Sequence, residues 1–387
     1  MNAPESLASA KVAQVMPRAH AGARDPDALA KLARELGPGP FAAVILFVSP
    51  EADRVALAAG LPAAFPGVTV IGCTTAGEIS PEGYCEGEIV AVALPRSCFA
   101  VDCLGIDLSA LNGQELIGRM IRARAGLTRG RPGWEGEFAF LMVDGLSIRE
   151  DELTAAIGPG LGPVPLFGGS AGDGTRFGAT FVLQDGQFRQ GWAVLVLVRT
   201  ACRVHVFSLN HLLPTDRRMV VTGADPARRI VHQINAEPAA QEYARLLGKD
   251  PAQLTTFTFA AHPVVVRIGG SHHVRAIQQM ADNGDLVFFS AIDEGLVLTL
   301  AEPQDMAVHL DKALTALSEA GRPAAILACD CILRRIEALE KQRFGAVSRL
   351  LKQHGVVGFS TYGEQLNSMH VNQTMTGVAI YPPRDPA

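Results

Sequence analysis

Apolar residues along this chain gather in strand-sized runs, and one arrangement of them is written three times. Phe41 to Val48, Phe138 to Val143 and Trp192 to Val198 are apolar at nearly every position, the pattern of sheet strands covered on both faces. Ala324 to Ala328 is a shorter run of the same kind. About 30 residues after Phe41, Phe138 and Ala324, the length of one βαβ unit, a second run ends in a glycine turn. The three turns are Ile71-Gly72-Cys73-Thr74-Thr75-Ala76-Gly77-Glu78, Phe167-Gly168-Gly169-Ser170-Ala171-Gly172-Asp173 and Val357-Gly358-Phe359-Ser360-Thr361-Tyr362-Gly363-Glu364. Each crosses small hydroxyl or apolar residues and closes on glycine plus a carboxylate; the middle copy is one residue shorter. The spacing predicts strand, helix, strand and glycine turn, used three times.

Between these units the pattern predicts further elements. Asp25-Pro26-Asp27 opens a helix over Ala28 to Leu36, stopped by Gly37-Pro38-Gly39-Pro40. Glu88 to Leu94, Ala179 to Leu183 and Trp192 to Val198 read as antiparallel additions to a mixed sheet. Cys202 to Leu209 reads as a strand, and Asp225-Pro226 predicts a helix through Ile230, Val231 and Ile234. Pro238 opens another helix, Ala239 to Leu247, closed by Gly248. Thr255 to Ala261, Val264 to Ile268, His272 to Met280 and Leu286 to Ser290 predict a strand meander, with turns at Gly269-Gly270 and Asp282 to Asp285. Leu296 to Leu300 adds a strand and Met306 to Leu317 a helix. Ile332, Leu333, Ile336, Leu339, Val347, Leu350 and Leu351 mark one face of a single long helix, with Arg334 and Arg335 off it. The expected class is α/β, with mixed β-sheets layered with helices in two regions. Residues 21–200 and 201–381 form those regions, flanked by a loose leader over 1–20 and a tail over 382–387. The third turn is placed to complete a sheet begun by the first two.

Composition narrows the function. A chain of 387 residues with 48% hydrophobic and 19% charged residues can bury large cores. A net charge of -5 supplies no basic field, which argues against nucleic acid and anionic membranes as partners. No apolar run approaches the ~20 residues of a membrane helix. The seven cysteines are an odd number and no signal peptide precedes them, so a reducing, cytoplasmic location is expected.

Several phrases together resemble the FIST family, an N-terminal FIST region followed by a FIST C region, over about residues 20 to 381. They are Gly72 to Glu78, Asp144-Gly145-Leu146-Ser147, Phe167 to Gly174, and Gly358 to Glu364. The resemblance implies a ligand-binding input module of bacterial signalling rather than an enzyme. The chain is also similar to the NosP-type subgroup of haem proteins that sense nitric oxide. That likeness rests on Pro214-Thr215-Asp216, Asn235 to Ala240, Ala261-His262-Pro263 through Gly270, and Asp293-Glu294-Gly295. Two departures from the subgroup pattern are Asn235-Ala236 in place of Asn-Gly and the tandem His272-His273. The subgroup implies haem b as cofactor, nitric oxide as ligand, and a histidine kinase or cyclic-di-GMP enzyme on a separate chain as partner. It leaves room for a homo-oligomer.

A haem needs an apolar slot, a neutral imidazole for iron and cations for its propionates. Of the ten histidines, His262 is the first choice for the iron, because Pro263 biases it to extended backbone and a β-branched run follows. His211 is the second choice, and Arg267 or Arg275 the propionate partners. A lone histidine at a strand edge is more commonly a hydrogen-bonded structural residue, and that alternative stands beside the first. The glycine turns offer another site: Thr74, Thr75, Glu78, Ser170, Asp173, Ser360, Thr361, Tyr362 and Glu364 carry the polar groups for a small, amino-acid-like ligand. Repeated Gly-x-x-Gly turns are also common packing devices. Cys329-Asp330-Cys331 could reach a zinc with Cys73 or His370, though a buried pair of small apolar residues is the more common cause of such a spacing. A thiol or serine hydrolase reading would use Cys73 or Ser170 with His370 as base. Gly168 to Gly172 fits Gly-x-Ser-x-Gly, but a loop signal follows it where a nucleophile elbow has a helix.

Overall fold

The computed structural model describes residues 15–268 and 270–383. Its α/β class and mixed sheets agree with the reading of the apolar pattern. Each repeat is built alike. Phe41–Val48 pairs in parallel with Thr69–Thr74, Gly136–Val143 with Leu166–Ser170, and Ala325–Cys331 with Val356–Thr361. Helices Arg54–Ala64 and Glu150–Leu161 make the first two crossovers. An antiparallel strand then returns onto the first strand of each unit: Glu88–Pro95, Trp192–Thr200 and Met375–Pro383.

Between turn and return strand, each repeat sends a small hairpin to a neighbour. The hairpin Glu78–Ser80 with Gly83–Cys85 leaves the first repeat and pairs with Val356–Thr361 of the third. The third repeat's hairpin, Glu364–Leu366 with Met369–Val371, pairs with Leu166–Ser170 of the second. The second repeat's hairpin, Val182–Gln184 with Gln187–Arg189, pairs with Thr69–Thr74 of the first. The exchange closes on itself and yields three six-stranded sheets of one plan. At the edge away from the incoming hairpin the outermost strands are Arg18–Gly22, Phe99–Asp107 and Cys202–Leu209. The segment after the third turn therefore does complete a sheet begun elsewhere, that of the second repeat, through the third repeat's own hairpin.

One core joins the three sheets. Phe47 stacks on Phe359 at 4.7 Å and meets Phe140 edge-on at 6.4 Å, and Phe140 stacks on Phe167 at 4.8 Å. All four rings are fully buried, each contributing roughly 1.5–3 kcal/mol by leaving water. A fourth sheet of eight strands lies in the chain between the second and third repeats, from Leu212–Asp225 to Val297–Pro303.

Several local expectations are corrected. Thr255 to Ala261 is not a strand: Thr256–Ala261 is a helix, because Thr255 and Thr258 cap each other's backbone N–H groups. The helix expected after Asp225-Pro226 is a single turn over Pro226–Arg228, capped by Asp225. Arg229 then takes a left-handed conformation and strand Ile230–Ile234 follows. The long third-repeat helix is two, Ile332–Glu340 and Phe344–Gln353, broken where Gln342 adopts a positive φ of 56°. Of the expected leader, residues 1–14 lie outside the described residues and Arg18–Gly22 is an edge strand. Of the expected tail, residues 384–387 lie outside them, and the last strand runs through Pro383. Gly269, in an expected turn, also lies outside. No described helix is long and apolar enough to cross a membrane.

Candidate functional site

The three glycine turns meet in a ring of backbone hydrogen bonds. Ala76 N donates to Ser360 O at 2.9 Å, Tyr362 N to Ser170 O at 3.2 Å, and Gly172 N to Thr74 O at 3.0 Å. Two return bonds complete the pattern, Ser360 N to Gly77 O at 2.7 Å and Ser170 N to Gly363 O at 2.8 Å. At the third junction Thr74 N turns instead to Phe181 O at 2.9 Å. This is where the middle turn is one residue short.

Most residues read as ligand candidates are consumed by this ring. Thr74, Thr75, Ser170, Ser360, Thr361 and Glu364 are fully buried. Thr75 hydrogen-bonds Glu78, and Thr361 donates to Glu364 at 2.5 Å, the same local cap in two repeats. The Tyr362 hydroxyl donates to the Asp173 carboxylate and accepts from Asp173 N at 3.1 Å. Burial pushes Glu364 up to about 8 and Glu78 up to about 7, against the hydrogen bonds that each accepts.

The rim of the ring opens on a cavity of about 340 Å³. Ala76-Gly77-Glu78 and Asp173 to Arg176 form one side, and the helix Ile332–Glu340 forms the other with Ile332, Arg335, Ile336 and Leu339. Arg335 is its central polar group. Its guanidinium lies over Tyr84 at 4.8 Å and beside Phe344 at 5.2 Å. Nη2 donates to Cys85 O at 2.9 Å and to Glu86 Oε1 at 3.1 Å, while Nη1 reaches Glu78 O at 3.3 Å. Nε is buried without a partner. Gly77 makes room for it, since a methyl there would stand 2.7 Å from Nη1, and its φ of 124° favours glycine besides. Glu51, Glu78 and Glu86 set carboxylates around the same space.

Comparison with family models matches residues 42–237 to the FIST N domain and residues 239–367 to the FIST C domain. The chain belongs to the FIST family. A search of curated proteins returns no match. FIST domains serve signal transduction as sensory modules that bind small ligands, and the cavity beside the turns is where this FIST protein joins its three repeats.

The histidines and arginines singled out for haem are dispersed. His211 is fully buried, with Nδ1 2.8 Å from Arg334 Nη1 and Nε2 3.0 Å from Glu337 Oε2. Arginine only donates, so Nδ1 holds the lone pair and Nε2 the proton. The one lone pair that could bind iron is thereby occupied. Arg334 goes on to Asp330 at 2.7 Å, which accepts from Tyr84, and Lys341 reaches Glu337 at 2.9 Å. His262 caps the helix Thr256–Ala261 and is half-buried; burial and the neighbouring Lys249 and Lys341 hold its ring below the usual histidine range. The run behind it is already packed, Val264 with Tyr243 and Phe259, Val265 with Phe289 and Tyr362. Arg267 is exposed and stands across from His272. Arg275 pairs across from Val264, two residues after His262, and feels the charges of Asp151 and Arg229.

The remaining alternatives lack their contacts. Among the described residues no group of three or more His, Cys, Asp or Glu is placed to hold a metal. Cys329 and Cys331 are fully buried, and burial drives their thiols and that of Cys73 far up. Ser170 Oγ accepts from Gln365 Nε2 at 3.0 Å, and the same amide lies 3.3 Å from His370 Nδ1. An amide thus separates serine from imidazole, where a hydrolase needs direct contact. Sequence reading missed Arg335 because its place off the apolar face of a long helix looked like solvent exposure. Its signal was Gly77, 258 residues earlier in the chain, with nothing local to connect the two.

Proposed function

We propose that this FIST protein senses a small zwitterion, amino-acid-like in size and charge, in the cavity between the glycine-turn ring and helix Ile332–Glu340. The observation that supports the reading is the unpartnered buried Nε of Arg335, on a residue that lines the cavity together with Glu51, Glu78 and Glu86. Arg335 would take the ligand carboxylate, Glu51 its ammonium, and Ile332, Ile336 and Leu339 its apolar part. A volume near 340 Å³ lies at the small end of ligand pockets. Binding would press on the helix whose other face carries Arg334 and Glu337, and so on the buried chain from Tyr84 to His211. A ligand changes a signal only through contacts that differ between two states. That chain is the element with contacts to lose. The receiving enzyme under this proposal is a histidine kinase or cyclic-di-GMP enzyme on another chain.

Calorimetric titration of the purified protein with the common amino acids tests the reading. Heat from at least one of them is expected, with affinity falling tenfold or more in Arg335→Gln and in the rim variant Leu339→Arg. Leu339 is 47% exposed, so the second variant spares the core. If no amino acid binds, or both variants bind as the parent does, the reading fails.

Haem with nitric oxide is the second reading. What favours it is the half-buried imidazole of His262, kept neutral by its surroundings. The absorption spectrum after hemin addition separates the two readings.

A further inference from the structure

The loop Gly37-Pro38-Gly39-Pro40, which ends the helix Ala28–Leu36, takes no part in the ring of turns. It meets a loop of similar composition, Phe65-Pro66-Gly67-Val68, which follows the helix Arg54–Ala64, and together they enclose a cavity of about 370 Å³. Phe41 and Phe65, both buried, also line it, with Ala33 and Ala64 from the two helices. This cavity shares no lining residue with the one beside Arg335.

Its walls offer few hydrogen-bond donors. Pro38, Pro40 and Pro66 have no N–H, and the N–H groups of Gly37, Phe65 and Val68 are spent on the carbonyls of Ala33, Leu61 and Phe65. Proline also fixes the backbone at its three positions, so the walls are preformed, as ligand pockets usually are. One charged group stands in the lining, Arg96. Its backbone N donates to Pro40 O at 2.9 Å and its Nε to Phe41 O at 3.0 Å, two bonds that hold the guanidinium at the cavity's edge. The two helix C-termini nearby are local negative ends, yet the bond from Nε goes to a strand carbonyl and leaves the fork of Nη1 and Nη2 free. Among the described residues that fork bonds no protein atom, and no carboxylate lines the cavity to neutralise it.

A guanidinium fork matches a carboxylate with two parallel N–H bonds, and a donor-poor apolar wall suits everything in an occupant except that one group. We propose that this cavity is a second binding site, one for a carboxylate with an apolar tail, its head on Arg96 and its tail against Phe41, Phe65 and Val68. An alkyl and an aryl tail present the same chemistry to these walls. The site is built from the first repeat and the helix before it, and it does not depend on the reading of the Arg335 cavity.

The test is isothermal titration of the full chain with octanoate, octanol and octylamine, and with phenylacetate beside phenylethanol. One of the two acids is expected to bind tenfold or more tightly than the alcohol of the same tail, with octylamine no tighter than octanol, and which acid binds identifies the tail. Arg96→Gln should bring that acid to the level of its alcohol and leave the alcohol unchanged, a split that a merely structural loss would not give. Ala33→Leu, which fills the wall from a helix position, should weaken acid and alcohol together. Leu339→Arg, which alters only the other cavity, should change neither. Absence of heat from both acids, acid and alcohol binding alike, Arg96→Gln binding as the parent does, or a loss in Leu339→Arg would each overturn the proposal.

Discussion

Gly358 is packed against the carbonyl of Ala328, its partner in the parallel pair: a methyl on Gly358 would stand 1.8 Å from that oxygen. The same relation holds in the other repeats, 2.1 Å from Leu46 O at Gly72 and 2.4 Å from Leu141 O at Gly168. The first glycine of each turn thus lets two strands approach closely enough for the turns to meet.

Gly358→Ala is therefore expected to be severely destabilising, by about 3 kcal/mol or more, because backbone cannot yield as a side-chain tip can. Gly126 is the contrast, lying in helix Gly113–Gly130 with nothing within 4 Å of an added methyl. Gly126→Ala should stabilise by up to about 1 kcal/mol. Urea unfolding of both variants beside the parent checks the pair, and equal loss in the two would refute the close-approach argument.

The buried carboxyls predict an unusual pH dependence. Glu364, Glu78 and Glu150 are raised from 4.5 to about 8, about 7 and about 7 by burial. Each binds its proton more tightly folded than unfolded, so the stabilisation is complete below the unfolded value and fades as pH rises to the folded one. Stability should fall from about pH 5 to pH 8. Glu364→Gln keeps the shape without the titration. Its Tm should lie flatter across that window, and an unchanged slope would show that Glu364 does not titrate there.

The repeats were legible because their signal is local: a βαβ length, and a turn whose glycines are required by neighbours in the same unit. The hairpin exchange was not, since nothing in Glu78 to Cys85 names Val356–Thr361, about 280 residues on, as its partner. Thr255 to Ala261 misled for a different reason. Its β-branched threonines read as strand, while the Thr255–Thr258 cap that makes it a helix lacks the usual Glu or Gln. The ring residues were found but given the wrong duty. Their hydroxyls and carboxylates bond one another, and only the structure shows Arg335 folded back over Gly77.

Gly77→Ala tests that arrangement without touching a charge. A methyl there collides with Arg335 at 2.7 Å and must displace it. Any amino acid bound in the cavity should then lose tenfold or more in affinity by calorimetry, while Gly174→Ala, at a rim position with open space but a positive φ of 74°, should cost stability and leave affinity within about threefold. Equal affinity losses in the two would mean that backbone strain, not Arg335, sets binding.

The two candidate haem histidines separate cleanly by what their removal exposes. His211→Ala strips a partner from buried Arg334 and Glu337, and breaking such a network costs about 3–5 kcal/mol. His211→Ala should therefore unfold at clearly lower urea, and any Soret absorbance developed with hemin should be the same per folded molecule as in the parent. The hydrogen bonds of His262 run through its backbone, N to Thr258 O and O from the Tyr243 hydroxyl. His262→Ala should accordingly cost at most about 1 kcal/mol while removing whatever Soret band the parent shows. Should the band instead disappear with His211 and survive loss of His262, the lone pair assigned to the Arg334 contact would have to be free for iron, and the buried network would be drawn wrongly at its centre.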